Sequence, residues 1–226
     1  MRAHVYLYVL IALAAAGCGS DQGGKIDKEG EGTIVVAALG DSIHAGSPHW
    51  DPDPEVRAGI GDELDEQSQW EYWAARKDKR LRFRNCGVNG ERTDEIAERL
   101  ESCAAGSDVL VVQGGINDIA QGYGFELAAK SLRAMVRRGK ELGLRVTIAN
   151  VLPWNAGWPR TEEAINLLNE QIDELAQDEN VSVLPFYTTL ESPDAPGRMR
   201  EEWTSDGDHP SVEGYRRLGE LAFQLP

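Results

Sequence analysis

TIVVAALGDS, residues 33–42, is the stretch that decides the fold. Thr33–Leu39 is a short, continuous apolar run, which is typical of a central parallel strand buried on both faces. Four more strand patterns follow, and helical patterns with one apolar face separate them. This alternation predicts a doubly wound α/β sheet in a single domain. The predicted strands are Thr33–Leu39, Leu81–Asn85, Val109–Gln113, Arg145–Asn150 and Val181–Pro185.

The predicted helices lie between these strands. Ser68-Gln69-Trp70-Glu71 has the pattern of a capping box that begins a helix. Longer amphipathic helices are predicted at Phe125–Leu142, just before Gly143, and at Thr161–Gln177. His44–Gln67 is predicted to be a long polar loop, and loops of this length are often functional.

The composition excludes several broad classes of protein. The 226 residues are 41% apolar, which is enough for a globular core and excludes a wholly disordered chain. The chain has 38 acidic and 23 basic residues, so its formal net charge is -15. Binding to nucleic acid requires clustered Lys and Arg that neutralise phosphates, and we therefore expect no nucleic acid partner.

The N-terminal segment predicts export. The apolar run Val5–Ala16 is too short to span a bilayer, but it fits the apolar part of a signal peptide. Its ending, Ala15-Ala16-Gly17-Cys18, resembles a bacterial lipobox, in which Cys18 is lipidated and becomes the mature N-terminus. We expect a lipid-anchored protein of the cell envelope that faces away from the cytoplasm. An ordinary secretory signal with an incidental cysteine is the alternative. The expected parts are a lipoprotein signal peptide (1–17), a flexible tether (18–32) and one globular domain (33–226).

Polar motifs follow the predicted strands. In open α/β sheets, ligands bind beyond the carboxyl ends of the strands, so these motifs should meet at one edge. Together they supply a hydroxyl, glycine N–H groups, a carboxamide and an Asp/His pair, which are the parts of an acyl-transfer site. The motifs are Gly40-Asp41-Ser42, Asn89-Gly90, Gly115-Ile116-Asn117-Asp118 and Asp206-Gly207-Asp208-His209.

These motifs resemble, in order, those of the SGNH hydrolase superfamily, also called the GDSL esterases and lipases. The resemblance covers Thr33 to the C-terminus. It implies a three-layer α/β/α, flavodoxin-like fold with five parallel strands in the order 2-1-3-4-5. It also implies a serine esterase that cleaves carboxylic esters through an acyl-enzyme, with Ser42 as the nucleophile and neither cofactor nor metal.

The general base is the next role to fill, because a hydroxyl is a poor nucleophile until a base takes its proton. After removal of the signal peptide, the candidates are His44, His49 and His209. His209 has a carboxylate at a short spacing on a constrained turn. Asp206 and Asp208 could each orient it, and the family pattern selects Asp206.

The oxyanion donors implied by the resemblance are the N–H groups of Ser42 and Gly90 and the side chain of Asn117. Gly87 is the rival of Gly90 and could simply serve a turn. Asp41 is expected to be structural, accepting hydrogen bonds from nearby backbone N–H groups.

Three more residues have open roles. Trp154 follows the fourth predicted strand and could line a substrate pocket, but core packing is the alternative. Cys86 and Cys103 could form a disulfide in an exported protein, or they could be two buried thiols.

Other functions remain open at this point. Within enzymes, the runner-up is a carbohydrate O-deacetylase that acts on envelope or environmental glycans. A metal-dependent hydrolase would use Asp41, Asp118, Asp206 and His209, and a catalytically silent binding lipoprotein would use none of them. The expected partners are a small-molecule, glycan or lipid ester and a membrane reached through the N-terminal lipid. The sequence leaves the oligomeric state, the acyl chain and the alcohol open.

Overall fold

The computed structural model describes residues 32–226. The predicted signal peptide, Cys18 and all but the last residue of the predicted tether lie outside this range. Every structural statement below concerns the described part of the chain.

A five-stranded parallel sheet forms the centre of the domain, in the order β2-β1-β3-β4-β5. This confirms the expected α/β fold and strand order. β5 is short, and each of its three residues pairs with β4. The strands are β1 (Ile34–Gly40), β2 (Leu81–Gly87), β3 (Val109–Val112), β4 (Arg145–Ala149) and β5 (Ser182–Leu184).

Helices cover both faces of the sheet. Alternate residues of β1 face opposite sides, so Ala37 and Leu39 join one apolar cluster while Val36 and Ala38 join the other. The first cluster packs against α4, α5, α7 and α8, and the second packs against α3, α9 and α10. The helices are α1 (Ser42–Ala45), α2 (Pro54–Ile60), α3 (Trp70–Lys77), α4 (Thr93–Glu98), α5 (Leu100–Ala104), α6 (Ile116–Ala120), α7 (Phe125–Glu141), α8 (Thr161–Glu179), α9 (Phe186–Leu190) and α10 (Val212–Arg217).

The structure differs from the sequence-based expectation in three places. The expected capping box does not form, because α3 begins at Trp70 and the buried Ser68 hydroxyl has no hydrogen-bond partner in residues 32–226. The segment expected to be one polar loop, 44–67, contains the second half of α1, all of α2 and a 3₁₀ turn. A hairpin of β6 (Glu191–Ser192) and β7 (Ala195–Met199) was not expected at all.

Gly87 allows α1 to approach the end of β2. A Cβ atom at Gly87 would lie 2.0 Å from the backbone nitrogen of Ala45, which is too close for any side chain to be accommodated there. The helix that begins with Ser42 can therefore pack directly on the sheet edge. Gly87 thus serves close packing at the end of β2 rather than the turn expected for it as the rival of Gly90.

No helix within residues 32–226 is both long enough and apolar enough to cross a membrane.

Candidate active site

Ser42 lies at the carboxyl end of β1 and is the first residue of α1. Its surface is only 5% exposed. Within residues 32–226 neither its backbone N–H nor its hydroxyl has a hydrogen-bond partner. Both groups are therefore free to contact a ligand.

Asp41 holds the turn between β1 and α1. Its carboxylate accepts hydrogen bonds from the Ile43 N–H at 3.0 Å and from Gln113 Nε2 at 3.1 Å. The Asp41 N–H donates in return to Gln113 Oε1 at 3.3 Å. Complete burial raises the pKa of Asp41 to about 6, although these hydrogen bonds and nearby His209 oppose the rise. Asp41 therefore has the structural role that the sequence predicted.

Asp206 and His209 form a direct pair. His209 Nδ1 lies 2.8 Å from Asp206 Oδ2, and Asp206 Oδ1 accepts the backbone N–H groups of His209 at 2.7 Å and Asp208 at 2.8 Å. Partial burial raises the pKa of Asp206, but the hydrogen bonds from His209 and the backbone lower it further, so the net pKa lies below its ordinary value. The carboxylate stays ionised and fixes the ring of His209.

The rival carboxylate, Asp208, has a different partner. It accepts a hydrogen bond from the indole Nε1 of Trp154. The two carboxylates that could orient His209 therefore have different partners: Asp206 contacts His209, and Asp208 contacts Trp154.

The other two candidate histidines lie in different environments. His44 is fully buried against the ring of Trp70, with a centroid distance of 5.3 Å, and burial lowers the pKa of His44 to about 3. His49 Nδ1 is 4.0 Å from Glu63. Among the histidines in residues 32–226, His209 has the closest carboxylate partner, at 2.8 Å.

Gly90 and Asn117 are brought together by contacts of the Gly90 loop with α6 and the residue that follows it. Asn117 Nδ2 donates to the carbonyl oxygen of Glu91 at 2.9 Å, which leaves its second N–H free. Gln121 Nε2 donates to the carbonyl oxygen of Gly90 at 3.0 Å. Gly90 has φ +82°, a left-handed conformation that favours glycine. Its backbone N–H has no acceptor in residues 32–226.

Arg99 joins this loop to the strand that precedes Ser42. Its guanidinium donates to the carbonyl oxygens of Cys86 at 2.6 Å and Gly40 at 3.1 Å, and its Nη2 and Nε both donate to Glu91 Oε2, at 2.5 and 2.9 Å. Cys86 is also linked to Cys103 by a disulfide, with a Cα–Cα distance of 6.1 Å. The sequence did not single out Arg99 or Gln121, and neither belongs to a motif that could have indicated them.

Asp118, one of the four residues of the alternative metal set, is bonded to Thr93. Its carboxylate accepts the N–H and the hydroxyl of Thr93 at 3.0 and 2.8 Å. Within residues 32–226, no group of three or more His, Cys, Asp or Glu side chains is arranged to hold a metal ion.

A small pocket lies beside Ser42. It has a volume of about 20 Å³, and Trp154 lies in its wall while its ring contacts that of Trp158 at a centroid distance of 4.9 Å. The pocket is mostly apolar, and its lining residues are Ile43, Gln113, Ile116, Val151, Leu152, Pro153, Trp154 and Asp208.

The structure thus brings Asp206 to His209 and the Gly90 loop to Asn117. His209 is close enough to Asp41 to influence the pKa of its carboxyl group, which puts the histidine near the residue that precedes Ser42. No hydrogen bond joins Ser42 to His209 in this part of the chain. Such contacts often tighten only when substrate is bound.

Comparisons with known proteins give a consistent result. A model of the GDSL-like lipase/acylhydrolase family matches residues 38–217. A search of curated proteins found no match.

Several solved structures have the same fold. A G-D-S-L family protein from Desulfitobacterium hafniense DCB-2 is 23% identical with a TM-score of 0.67, over 83% of this chain and 96% of that one. A lipolytic G-D-S-L family member from Veillonella parvula DSM 2008 is 20% identical with a TM-score of 0.66, over 83% and 94%. An acetyl xylan esterase, AlAXEase, is 19% identical with a TM-score of 0.63, over 83% and 96%. At these identities the likeness concerns the fold alone.

Proposed function

The chain belongs to the GDSL-like lipase/acylhydrolase family, and we propose that it is a serine esterase that uses Ser42, His209 and Asp206 as its triad. The observation that carries this proposal is the 2.8 Å contact between His209 Nδ1 and the ionised Asp206, on a loop close to the Ser42 turn. An imidazole fixed in this way presents Nε2 as a base.

In the proposed reaction, His209 Nε2 takes the hydroxyl proton while Ser42 Oγ attacks the acyl carbon. The carbonyl π electrons move to oxygen, and the N–H groups of Ser42, Gly90 and Asn117 stabilise the oxyanion. When the tetrahedral intermediate collapses, the bond to the alcohol oxygen breaks and His209 gives its proton to that oxygen. Water then repeats the sequence on the acyl-enzyme and releases a carboxylic acid.

The test is ester hydrolysis by Ser42→Ala with p-nitrophenyl acetate as the substrate. We expect activity to fall to background while the melting temperature stays unchanged. Ser68→Ala is the matched control, because Ser68 is also buried without a hydrogen-bond partner but lies outside the triad. Wild-type turnover in purified Ser42→Ala would end the triad proposal, and any Ser42-dependent turnover excludes a silent binding protein.

An O-deacetylase is the second candidate, and the pocket beside Ser42 favours it. Its volume of about 20 Å³ accommodates a group the size of one water molecule, since a water requires roughly 10–15 Å³. A methyl group fits such a space, whereas a long acyl chain does not. On p-nitrophenyl esters of increasing chain length, kcat/KM should be highest for acetate. A maximum at octanoate would contradict the deacetylase proposal and leave the esterase proposal intact.

We also propose that the mature protein is lipid-anchored through Cys18, on the sequence pattern Ala15-Ala16-Gly17-Cys18. A lipoprotein terminus with several acyl chains anchors firmly, whereas one chain binds only marginally. Cys18→Ser should move the protein out of the membrane fraction without changing its esterase activity. An unmodified Cys18 in soluble wild-type protein, found by intact-mass measurement, would show simple secretion instead.

A further inference from the structure

A polar groove of about 310 Å³ lies at the carboxyl ends of β4 and β5, between α8 and the start of α9. Adjacent strands in a sheet are about 4.8 Å apart, so β4 and β5 lie about 10 and 14 Å from β1 along the same edge. Ser42 follows β1 at this edge. The groove is therefore within the span of a short oligosaccharide from the proposed nucleophile.

The lining of the groove suits a neutral, polyhydroxylated ligand. Asn150, Asn166 and Asn169 supply amides, and Glu170 and Asp173 supply carboxylates. Tyr187 adds an aromatic ring, which offers an apolar face. Amides and carboxylates bind hydroxyl groups, and the lining contains no Lys, Arg or His that would attract an anion.

Asn150 is the strongest indication of a ligand, as a comparison with Asn169 demonstrates. The Asn169 side chain is paired with the backbone, because it accepts the Val151 N–H at 2.8 Å and donates to the Val151 carbonyl at 3.0 Å. Asn150 is 91% buried and lines the groove, but no hydrogen bond joins its side chain to another residue within 32–226. A ligand in the groove could therefore pair with this amide without displacing a hydrogen bond of the protein.

The groove and the pocket beside Ser42 share one wall. Asn150 begins the segment 150–154, and the other four residues of this segment line the small pocket. Five consecutive residues span at most about 14 Å between their first and last Cα atoms. A single ligand can therefore contact both places.

We propose that this groove binds the neutral sugar units of a glycan whose O-acyl group lies at Ser42. The proposal rests on the esterase function proposed above for its catalytic part. Its binding part stands separately, because the groove would hold an unesterified glycan as well.

The first experiment measures binding alone, with full-length Ser42→Ala and unesterified xylo-, cello- and chito-oligosaccharides in isothermal titration calorimetry. We expect at least one series to bind, with an affinity that does not change between low and high salt. Asn150→Ala and the more exposed Asn166→Ala should each weaken binding roughly three- to tenfold, the range for one neutral hydrogen bond. Glu174→Ala is the control, because Glu174 is exposed on α8 outside the groove. No binding, a strong salt dependence, or equal affinities in all variants would overturn the proposal.

The second experiment measures hydrolysis of acetylated oligosaccharides and p-nitrophenyl acetate by the variants with Ser42 intact. Asn150→Ala and Asn166→Ala should lower kcat/KM roughly three- to tenfold on the oligosaccharides and leave p-nitrophenyl acetate unchanged. Equal losses on both substrates would overturn the proposal. Oligosaccharide binding without any hydrolysis would instead retain the groove and reject the esterase.

Discussion

The loop that carries Gly90 is held by side chains from other elements, whereas the loop that carries His209 combines internal hydrogen bonds with backbone and side-chain bonds from residues 154–156. Arg99, Gln121 and Asn117 reach the first loop from outside it. The second loop is closed by an isolated bridge between Thr204 and Pro210. The difference teaches that distant side chains position the oxyanion side, whereas the Asp206–His209 pair is set by the backbone of its own loop, which residues 154–156 bond at Gly207 and Asp208.

Hydrogen bonds within the second loop hold the turn that carries Asp206 and His209. The carbonyl oxygen of His209 accepts the Thr204 hydroxyl at 2.8 Å and the Ser205 N–H at 2.9 Å. Within residues 32–226, the hydrogen-bond partners of the Asp206 side chain are residues 208 and 209. Variants of the His209 side chain should therefore change the chemistry and leave the fold intact.

The largest expected effect is that of His209→Ala. Loss of the base should lower kcat by about 10⁴-fold or more, because the serine then has nothing to take its proton. The melting temperature should not change, since the loop is held by backbone contacts. His49→Ala is the control and should retain activity. A fall in melting temperature that parallels the loss of activity would contradict the conclusion that backbone contacts, and not the His209 side chain, hold this loop.

Asn117→Ala should have the next largest effect. Loss of one oxyanion donor typically lowers kcat by about 10²–10³-fold. KM should change little, because the donor acts on charge that develops in the transition state. Asn89→Ala, at an exposed position beside Gly90, provides the control. A rise in KM with unchanged kcat would assign Asn117 to substrate binding instead.

Asp41 and Asp206 should give opposite dependences of stability on pH. The pKa of Asp41 is raised in the fold, from 3.8 to about 6, so its stabilising contribution is complete below pH 3.8 and is lost as the pH rises through 6. At 1.36 kcal/mol per pKa unit, this loss amounts to about 3 kcal/mol. The pKa of Asp206 is lowered, so its contribution is present at neutral pH and is lost as the pH falls through its folded pKa.

Urea unfolding of wild type, Asp41→Asn and Asp206→Asn between pH 3 and 8 tests this. As the pH rises, the free energy of unfolding of Asp41→Asn should increase relative to that of wild type, since asparagine can also cap α1. Over the same rise in pH, the free energy of unfolding of Asp206→Asn should decrease relative to that of wild type. Parallel curves for the three proteins would contradict both assignments.

The smallest expected effect is that of Arg99→Ala, a positioning residue. Displacing the Gly90 loop by about 1 Å should lower kcat roughly 10–10²-fold with little change in KM. Added guanidinium ion should restore part of the activity. Arg84→Ala is the matched control, because Arg84 also donates to two backbone carbonyls, those of Cys103 and Ala105, but away from the site. Equal losses of activity in both variants would reduce Arg99 to a purely structural role.

The sheet was predictable from the sequence because buried parallel strands have a local signature. Thr33–Leu39 predicted β1 to within one residue at each end. The strand order followed from the resemblance, and the structure confirms it. The motifs that follow the strands were predictable for the same reason, since the carboxyl ends of parallel strands meet at one edge.

Contacts between distant residues were not predictable. Arg99 lies 59 residues from Gly40, and nothing near either residue in the sequence indicates their pairing. The expected capping box at Ser68 failed because tertiary packing overrides a local pattern: Glu71, its expected partner, is 2% exposed and lies in the interior. Burial raises the pKa of Glu71 well above its ordinary range. The hairpin of β6 and β7 was not predictable because β6 has only two residues and β7 contains proline and glycine.

The two outer strands of the sheet also bear on how the protein behaves when it is concentrated. An open strand edge can act as a template for another chain and so begin aggregation. β5 presents only three residues at one edge, and β2 carries Arg82 and Arg84 at the other. Short or positively charged edges are poor templates, so molecules of this acidic protein should resist edge-to-edge association even when they are crowded together.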